Sequence, residues 1–81
     1  MKWIQVLGVG CPKCAKLLEN AQKAVADAKI DATVEKISDM DVITEFGVIA
    51  TPALVIDGRV QAVGRLLTVE EISKIIKGLS S

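Results

Sequence analysis

Asp57-Gly58, set between the apolar run Ala53–Ile56 and the alternating run Arg59–Val63, leaves the chain little freedom at that point. Asp-Gly between two such runs is the strongest short hairpin signal in the sequence, with Arg59–Val63 returning as the paired strand. The C-terminal half therefore holds a β-hairpin. Any fold for this chain must give the hairpin a sheet to join, because an isolated two-stranded pair is marginal in water.

The rest of that sheet is legible upstream. Residues 2–8 form a short, mostly apolar run suited to a buried strand, broken by Gly8-Val9-Gly10. Pro12 stands where a first-turn helical proline belongs. From Cys14 onward Leu17, Leu18, Ala21, Val25 and Ala28 recur at helical spacing, with Lys16, Glu19, Asn20, Lys23 and Asp27 on the other side. That helix is expected to end near Lys29. Ala32–Ile37 alternates like a half-buried strand. Ser38 or Asp39 then caps a short helix carrying Met40, Ile43 and Phe46, and Gly47 stops it. After the hairpin, Thr68-Val69-Glu70-Glu71 is a capping box, with Leu67 and Ile72 placed as a hydrophobic staple. The last helix presents Val69, Ile72, Ile75, Ile76 and Leu79 on one face.

The expected order is β-α-β-α-β-β-α in one α/β domain over residues 1–81, with three helices. The first βαβ unit should be parallel with a right-handed crossover, and the later hairpin antiparallel. A four-stranded mixed sheet with helices on both faces covers every apolar surface. A chain of 81 residues buries only roughly 60–65% of its unfolded surface. Its 51% hydrophobic content offsets that disadvantage.

Composition removes several functions. Ten Lys and Arg balance ten Asp and Glu, so there is no basic surplus to hold nucleic acid or an anionic membrane. The absence of histidine excludes an imidazole base and His-dependent metal sites. Trp3 and Phe46, the only aromatics, give single-stranded bases no stacking platform. No run reaches the roughly 18–20 apolar residues of a membrane span. Lys2, the following apolar residues and Cys11 imitate a lipoprotein signal, but the run is short and Gln5 interrupts it. A cytoplasmic location is expected. In a reducing compartment a close cysteine pair is more often catalytic, redox-sensing or metal-binding than a permanent staple.

Cys11-Pro12-Lys13-Cys14 lies where a strand gives way to a helix. Residues i and i+3 of a first helical turn bring their Cα atoms to roughly 5–6 Å, within reach of a disulfide. Cys11 there faces unpaired backbone N–H groups and the positive end of the helix dipole, which stabilise a thiolate. Lys13 adds positive charge and Pro12 stiffens the loop. Cys11, at the tip, is the expected nucleophile, and Cys14, one turn in, the expected resolving thiol. Other chemistries use the same two residues. A zinc site needs four ligands and the pair supplies two. Two soft thiolates suit Cu(I) in a small metal carrier, which is the strongest alternative. A structural pair packed as small hydrophobes is the remaining reading.

With the C-P-K-C motif after the first strand, Ala50-Thr51-Pro52 ahead of the third and Gly64 after the fourth, the chain resembles the thioredoxin superfamily. It is most similar, over essentially its whole length, to the small thioredoxin-like proteins of archaea and anaerobic bacteria sometimes called redox-active disulfide protein 2. The resemblance implies a thioredoxin fold with sheet order β2-β1-β3-β4 and a cis Pro52 facing the cysteines. It implies that Ala50, Thr51 and Gly64 border the substrate chain. It also implies a redox-active Cys11–Cys14 disulfide with no other cofactor and no metal, a disulfide-containing protein substrate and an electron donor of the thioredoxin-reductase type. A monomer is expected.

Some positions depart from the family. Gly10 stands where a Trp usually precedes the first cysteine, and Gln5 falls at the place of the family's buried acid, where Lys36 or solvent would have to assist. Arg65-Leu66-Leu67 replaces the glycine-rich, acid-bearing turn that helps glutaredoxins hold glutathione. Val9 occupies the place of the Met found before the first Cys in heavy-metal-binding domains, whose element order also differs. Trp3 and Phe46 read as core filling. The charges of the first helix read as a solvated face. Arg65 is the one charge whose loop should border the site.

Overall fold

The computed structural model describes residues 2–9 and 12–80, with the side chains of Leu79 and Ser80 outside the description. Its elements are β1 (Lys2–Leu7), α1 (Pro12–Ala28), β2 (Ala32–Ile37), α2 (Met40–Glu45), β3 (Ala53–Ile56), β4 (Arg59–Val63) and α3 (Val69–Ser80). The expected order is met element for element. β1 is one residue shorter than expected, because Gly8 leaves the strand while its N–H still donates to the Ile37 carbonyl at 2.9 Å.

The sheet runs β2-β1-β3-β4. β1 pairs in parallel with β2, Ile4 beside Val34, and antiparallel with β3, Leu7 beside Ala53. β3 and β4 form the antiparallel hairpin, and Asp57 (φ 52°) and Gly58 (φ 80°) supply the two positive-φ residues of its turn. Between the pairs Leu54–Ala62 and Val55–Val60 the register shifts, leaving Gln61 as the extra residue of a bulge that bends the edge strand.

The helices divide two and one. Leu17, Ala21 and Ala24 of α1 and Ile72 and Ile76 of α3 bury against Ile4, Val6, Leu54 and Ile56 on one face of the sheet. Ile43 of α2, with Val48, covers Leu7, Ala53 and Val55 on the other. This three-layer arrangement is the thioredoxin fold.

Local chemistry sets the helix ends. Asp39 caps α2 by accepting from the Asp41 N–H at 2.9 Å, and Gly47 (φ 75°) closes it with its N–H on the Thr44 carbonyl. Thr68 Oγ1 accepts from the Glu71 N–H at 3.1 Å while Glu71 Oε1 accepts from the Thr68 N–H at 3.0 Å, the reciprocal pair of a capping box. Leu67 and Ile72 are both buried, as a staple requires.

Three expectations need correction. Trp3 is 47% exposed and does not fill the core. It shares the β1 face of Leu7, but α2 is only six residues long and covers the Leu7 end, leaving the Trp3 end open. Met40 likewise faces solvent, and only Ile43 of α2 is buried, with Phe46 packed half-buried beside it. Asn20, grouped with the solvated face of α1, is buried because its amide donates to the Leu67 carbonyl at 2.9 Å.

Candidate functional site

Among the described residues, those singled out for chemistry in the sequence converge on one end of the central strand pair. Leu7 and Ala53 are register partners. The chain leaves β1 there through Gly8 and arrives at β3 there through Pro52. α1 begins at Pro12, so its first turn lies at the same end.

Cys14 occupies that first turn and is 2% exposed. Its sulfur lies against Gly8. A Cβ built on Gly8 would overlap the Cys14 Sγ and stand 2.8 Å from the Cys14 Cβ. Glycine is therefore required at position 8 by a contact rather than by the strand break to which the sequence points. Pro12 and Lys13 are exposed. Cys11 and Gly10 lie outside the described residues.

The second half of the site is built around Pro52, which is buried and follows a cis Thr51–Pro52 peptide bond, as the resemblance implies. Gly64 (φ 69°) donates its N–H to the Pro52 carbonyl at 2.8 Å. A Cβ at Gly64 would sit 3.1 Å from the Ala50 Cβ. Backbone conformation and close approach both disfavour a larger residue there. Ala50, Pro52 and Gly64 thus form one packed unit, and Ala50 and Thr51 are exposed beside it.

Hydrophobic side chains surround these segments without being buried. Val9 (50% exposed) precedes the motif, Ile49 (97%) precedes Ala50, and Leu66 (41%) follows Gly64 by two residues. Exposed apolar residues gathered at one end of a small domain are the usual mark of a protein-binding surface. Arg65, in the same loop, is held by Glu71 with Nη2 3.4 Å from Oε2.

Gln5, at the position of the family's buried acid, is 4% exposed. Among the described residues no group of three or more His, Cys, Asp or Glu side chains gathers to hold a metal ion. The groove lined by Lys2, Ile56, Asp57 and Arg59 lies at the opposite end of the sheet. Its charge serves the fold, since Lys2 Nζ pairs with Asp57 Oδ2 at 3.5 Å and Asp57 Oδ1 accepts from the Trp3 N–H at 2.9 Å. Among the described residues no helix is long and apolar enough to cross a membrane.

Comparison with known proteins agrees with this geometry. A family model described as a thioredoxin domain matches residues 2–77. The chain is 46% identical over 76 residues to the thioredoxin of Methanothermobacter thermautotrophicus, covering 94% of this chain and 99% of that one. It is 39% identical over 74 residues to the thioredoxin of Methanocaldococcus jannaschii, covering 91% of this chain and 85% of the relative. The chain belongs to the thioredoxin domain family. Membership carries the general activity, thiol–disulfide exchange, with disulfide-bearing proteins as substrates and a reductase as electron donor.

Sequence reasoning missed two residues at this site. Gly8 was visible only as a strand breaker, and its nearness to the motif was the one available signal. Asn20 carried none, because its partner is a backbone carbonyl forty-seven residues away.

Proposed function

We propose that this chain is a cytoplasmic, monomeric protein-disulfide reductase, a single domain over residues 1–81 that works through the dithiol of Cys11 and Cys14. The Cys11 thiolate attacks a sulfur of the substrate disulfide, forming a mixed disulfide and releasing the other substrate sulfur as a thiolate. The Cys14 thiolate then attacks the Cys11 sulfur, the mixed disulfide breaks, and the second substrate sulfur leaves with the electron pair. Two electrons pass from the dithiol to the substrate, and a Cys11–Cys14 disulfide remains. A thioredoxin-reductase-type donor returns it to the dithiol. No metal or further cofactor enters.

Pro12 holds the turn stiff between dithiol and disulfide forms, and Lys13 adds positive charge beside the thiolate. Ala50, Thr51 and Gly64 line the place where the substrate backbone lies, with Pro52 beneath it.

The single observation that carries this reading is the burial of Cys14 against Gly8 in the first turn of α1, in a chain of the thioredoxin family. A buried thiol, shielded from outside disulfides, suits the resolving role that the proposal gives Cys14. The soft-metal alternative has no comparable support.

The test is a redox titration of the purified protein in dithiothreitol buffers, with a metal assay on the same sample. A reversible two-electron transition at roughly −200 to −300 mV without bound metal is expected. Stoichiometric copper or zinc that blocks oxidation would overturn the reading.

A further inference from the structure

We infer that Gly8 is a positioning residue for the resolving step: the space left by its missing side chain is the niche that fixes the Cys14 sulfur. The inference rests on the dithiol reading above and adds to it a residue outside the C-P-K-C motif.

The contact is tight, and both backbones are anchored beside it. Gly8 is anchored by its N–H on the Ile37 carbonyl, directly after the rung where Leu7 pairs with both Ile37 and Ala53. α1 is anchored by Leu17, Ala21 and Ala24, all fully buried against the sheet. A methyl group at position 8 would overlap the Cys14 Sγ and come within 2.8 Å of its Cβ. What must give is the Cys14 side chain or the first turn of α1. Rotation about χ1 is restricted on a helix, so the displaced sulfur has few places to go.

The consequence falls on one chemical step. For resolution the Cys14 sulfur must come in line with the bond between Cys11 and the departing sulfur, and the product disulfide accepts a narrow range of geometries. Attack by Cys11 makes no such demand on Cys14. Substitution at Gly8 should therefore separate the two steps, sparing the first and slowing the second.

The aryl disulfide dithiobis(nitrobenzoate) reports both. Cys11 attack releases one coloured aryl thiolate and leaves the other on Cys11. Cys14 attack on the Cys11 sulfur releases the second and forms the intramolecular disulfide, with two electrons from the dithiol and two protons passed to solvent. In folded Gly8→Ala the first release should keep its wild-type rate, and the second should slow on the order of 10- to 100-fold, the range expected for a reacting atom misplaced by about 1 Å. Gly47→Ala is the control. It strains a positive-φ position with no atom near the added methyl, so it lowers stability while leaving both releases unchanged.

Wild-type rates for both releases in folded Gly8→Ala would overturn the inference. A wild-type protein that never gives the second aryl thiolate would instead overturn the dithiol reading beneath it. Should Gly8→Ala fail to fold, Gly8→Ala/Cys14→Gly, which removes both the sulfur and the Cβ that the added methyl would meet, decides the matter. Recovery of a cooperative thermal transition supports the niche, and its absence refutes it.

Discussion

The Asn20 side-chain amide donates to the Leu67 carbonyl at 2.9 Å, joining the middle of α1 to the last residue before the α3 cap. One end of the loop between β4 and α3 is held by this bond, and the other by the Gly64 N–H on the Pro52 carbonyl. The segment bordering the candidate site is therefore tied both to the helix that carries Cys14 and to the strand that follows Pro52.

Replacing Asn20 with Leu keeps the branching at Cγ and removes the donor. The Leu67 carbonyl then loses its partner beside the main core, which costs about 1–3 kcal/mol. The urea midpoint should fall by that cost divided by the slope m, with the slope itself unchanged. For a chain whose total stability is roughly 4–12 kcal/mol, such a loss is conspicuous. An unchanged midpoint would mean that the bond contributes nothing.

The acid limb of stability follows from three carboxylates, all held below the usual range. The backbone N–H of Trp3, with Lys2 behind it, lowers Asp57. The backbone N–H of Thr68 lowers Glu71, and the Lys23 hydrogen bond, with the charges of Lys16 and Lys23, lowers Glu19. The folded state thus binds these protons less readily than the unfolded chain, whose carboxylates titrate near 3.8 and 4.5. Their contribution is complete above those values and is lost as the pH falls through the folded-state values beneath them. With no histidine to titrate, denaturation curves of the oxidised protein should superimpose from about pH 6 to 8 and weaken only in acid. Asp57→Asn should flatten part of that acid limb. A limb of unchanged steepness would remove Asp57 from the set.

The two cysteines should fail in different ways. Cys11→Ser leaves no attacking thiolate and should abolish turnover of a protein disulfide. Cys14→Ser leaves the first attack intact and should accumulate a covalent complex that a reducing agent releases. Mass spectrometry of the acid-quenched reaction distinguishes them. Equal residual turnover in both variants, with no adduct in either, would defeat the assignment of roles.

Much of this architecture is legible in the residues, and the boundary of legibility has a physical cause. Asp57-Gly58, Gly47 and Thr68/Glu71 are local devices, each satisfied within a few residues of itself, and each forms the turn or cap that its chemistry specifies. Trp3, Asn20 and Gly8 are different. Periodicity assigns Trp3 to a face of β1, but the length of α2, another element, decides whether that face is covered there. Asn20 looks like one more polar residue on α1 until the β4–α3 loop brings it a carbonyl. Gly8 looks like a break, and its packing role exists only once the first turn of α1 has folded back onto it. At the site the motif Cys11-Pro12-Lys13-Cys14 is legible in the residues alone, whereas the contact of Gly8 with Cys14 and the bond of Gly64 to Pro52 are tertiary.

Ile49 offers a separation of binding from chemistry. At 97% exposure it supports no packing, so Ile49→Ser should change stability by less than about 0.5 kcal/mol. It is exposed just before Ala50-Thr51-Pro52, and on the proposed function it would lie with Val9 and Leu66 beside the bound protein substrate. Burying part of such a side chain is worth about 1 kcal/mol or more, so KM for a protein disulfide should rise roughly fivefold to tenfold with kcat little altered. A small aryl disulfide, too short to reach Ile49, should be reduced at the wild-type rate. Parallel losses with both substrates would place the effect in the chemistry and remove Ile49 from the docking surface.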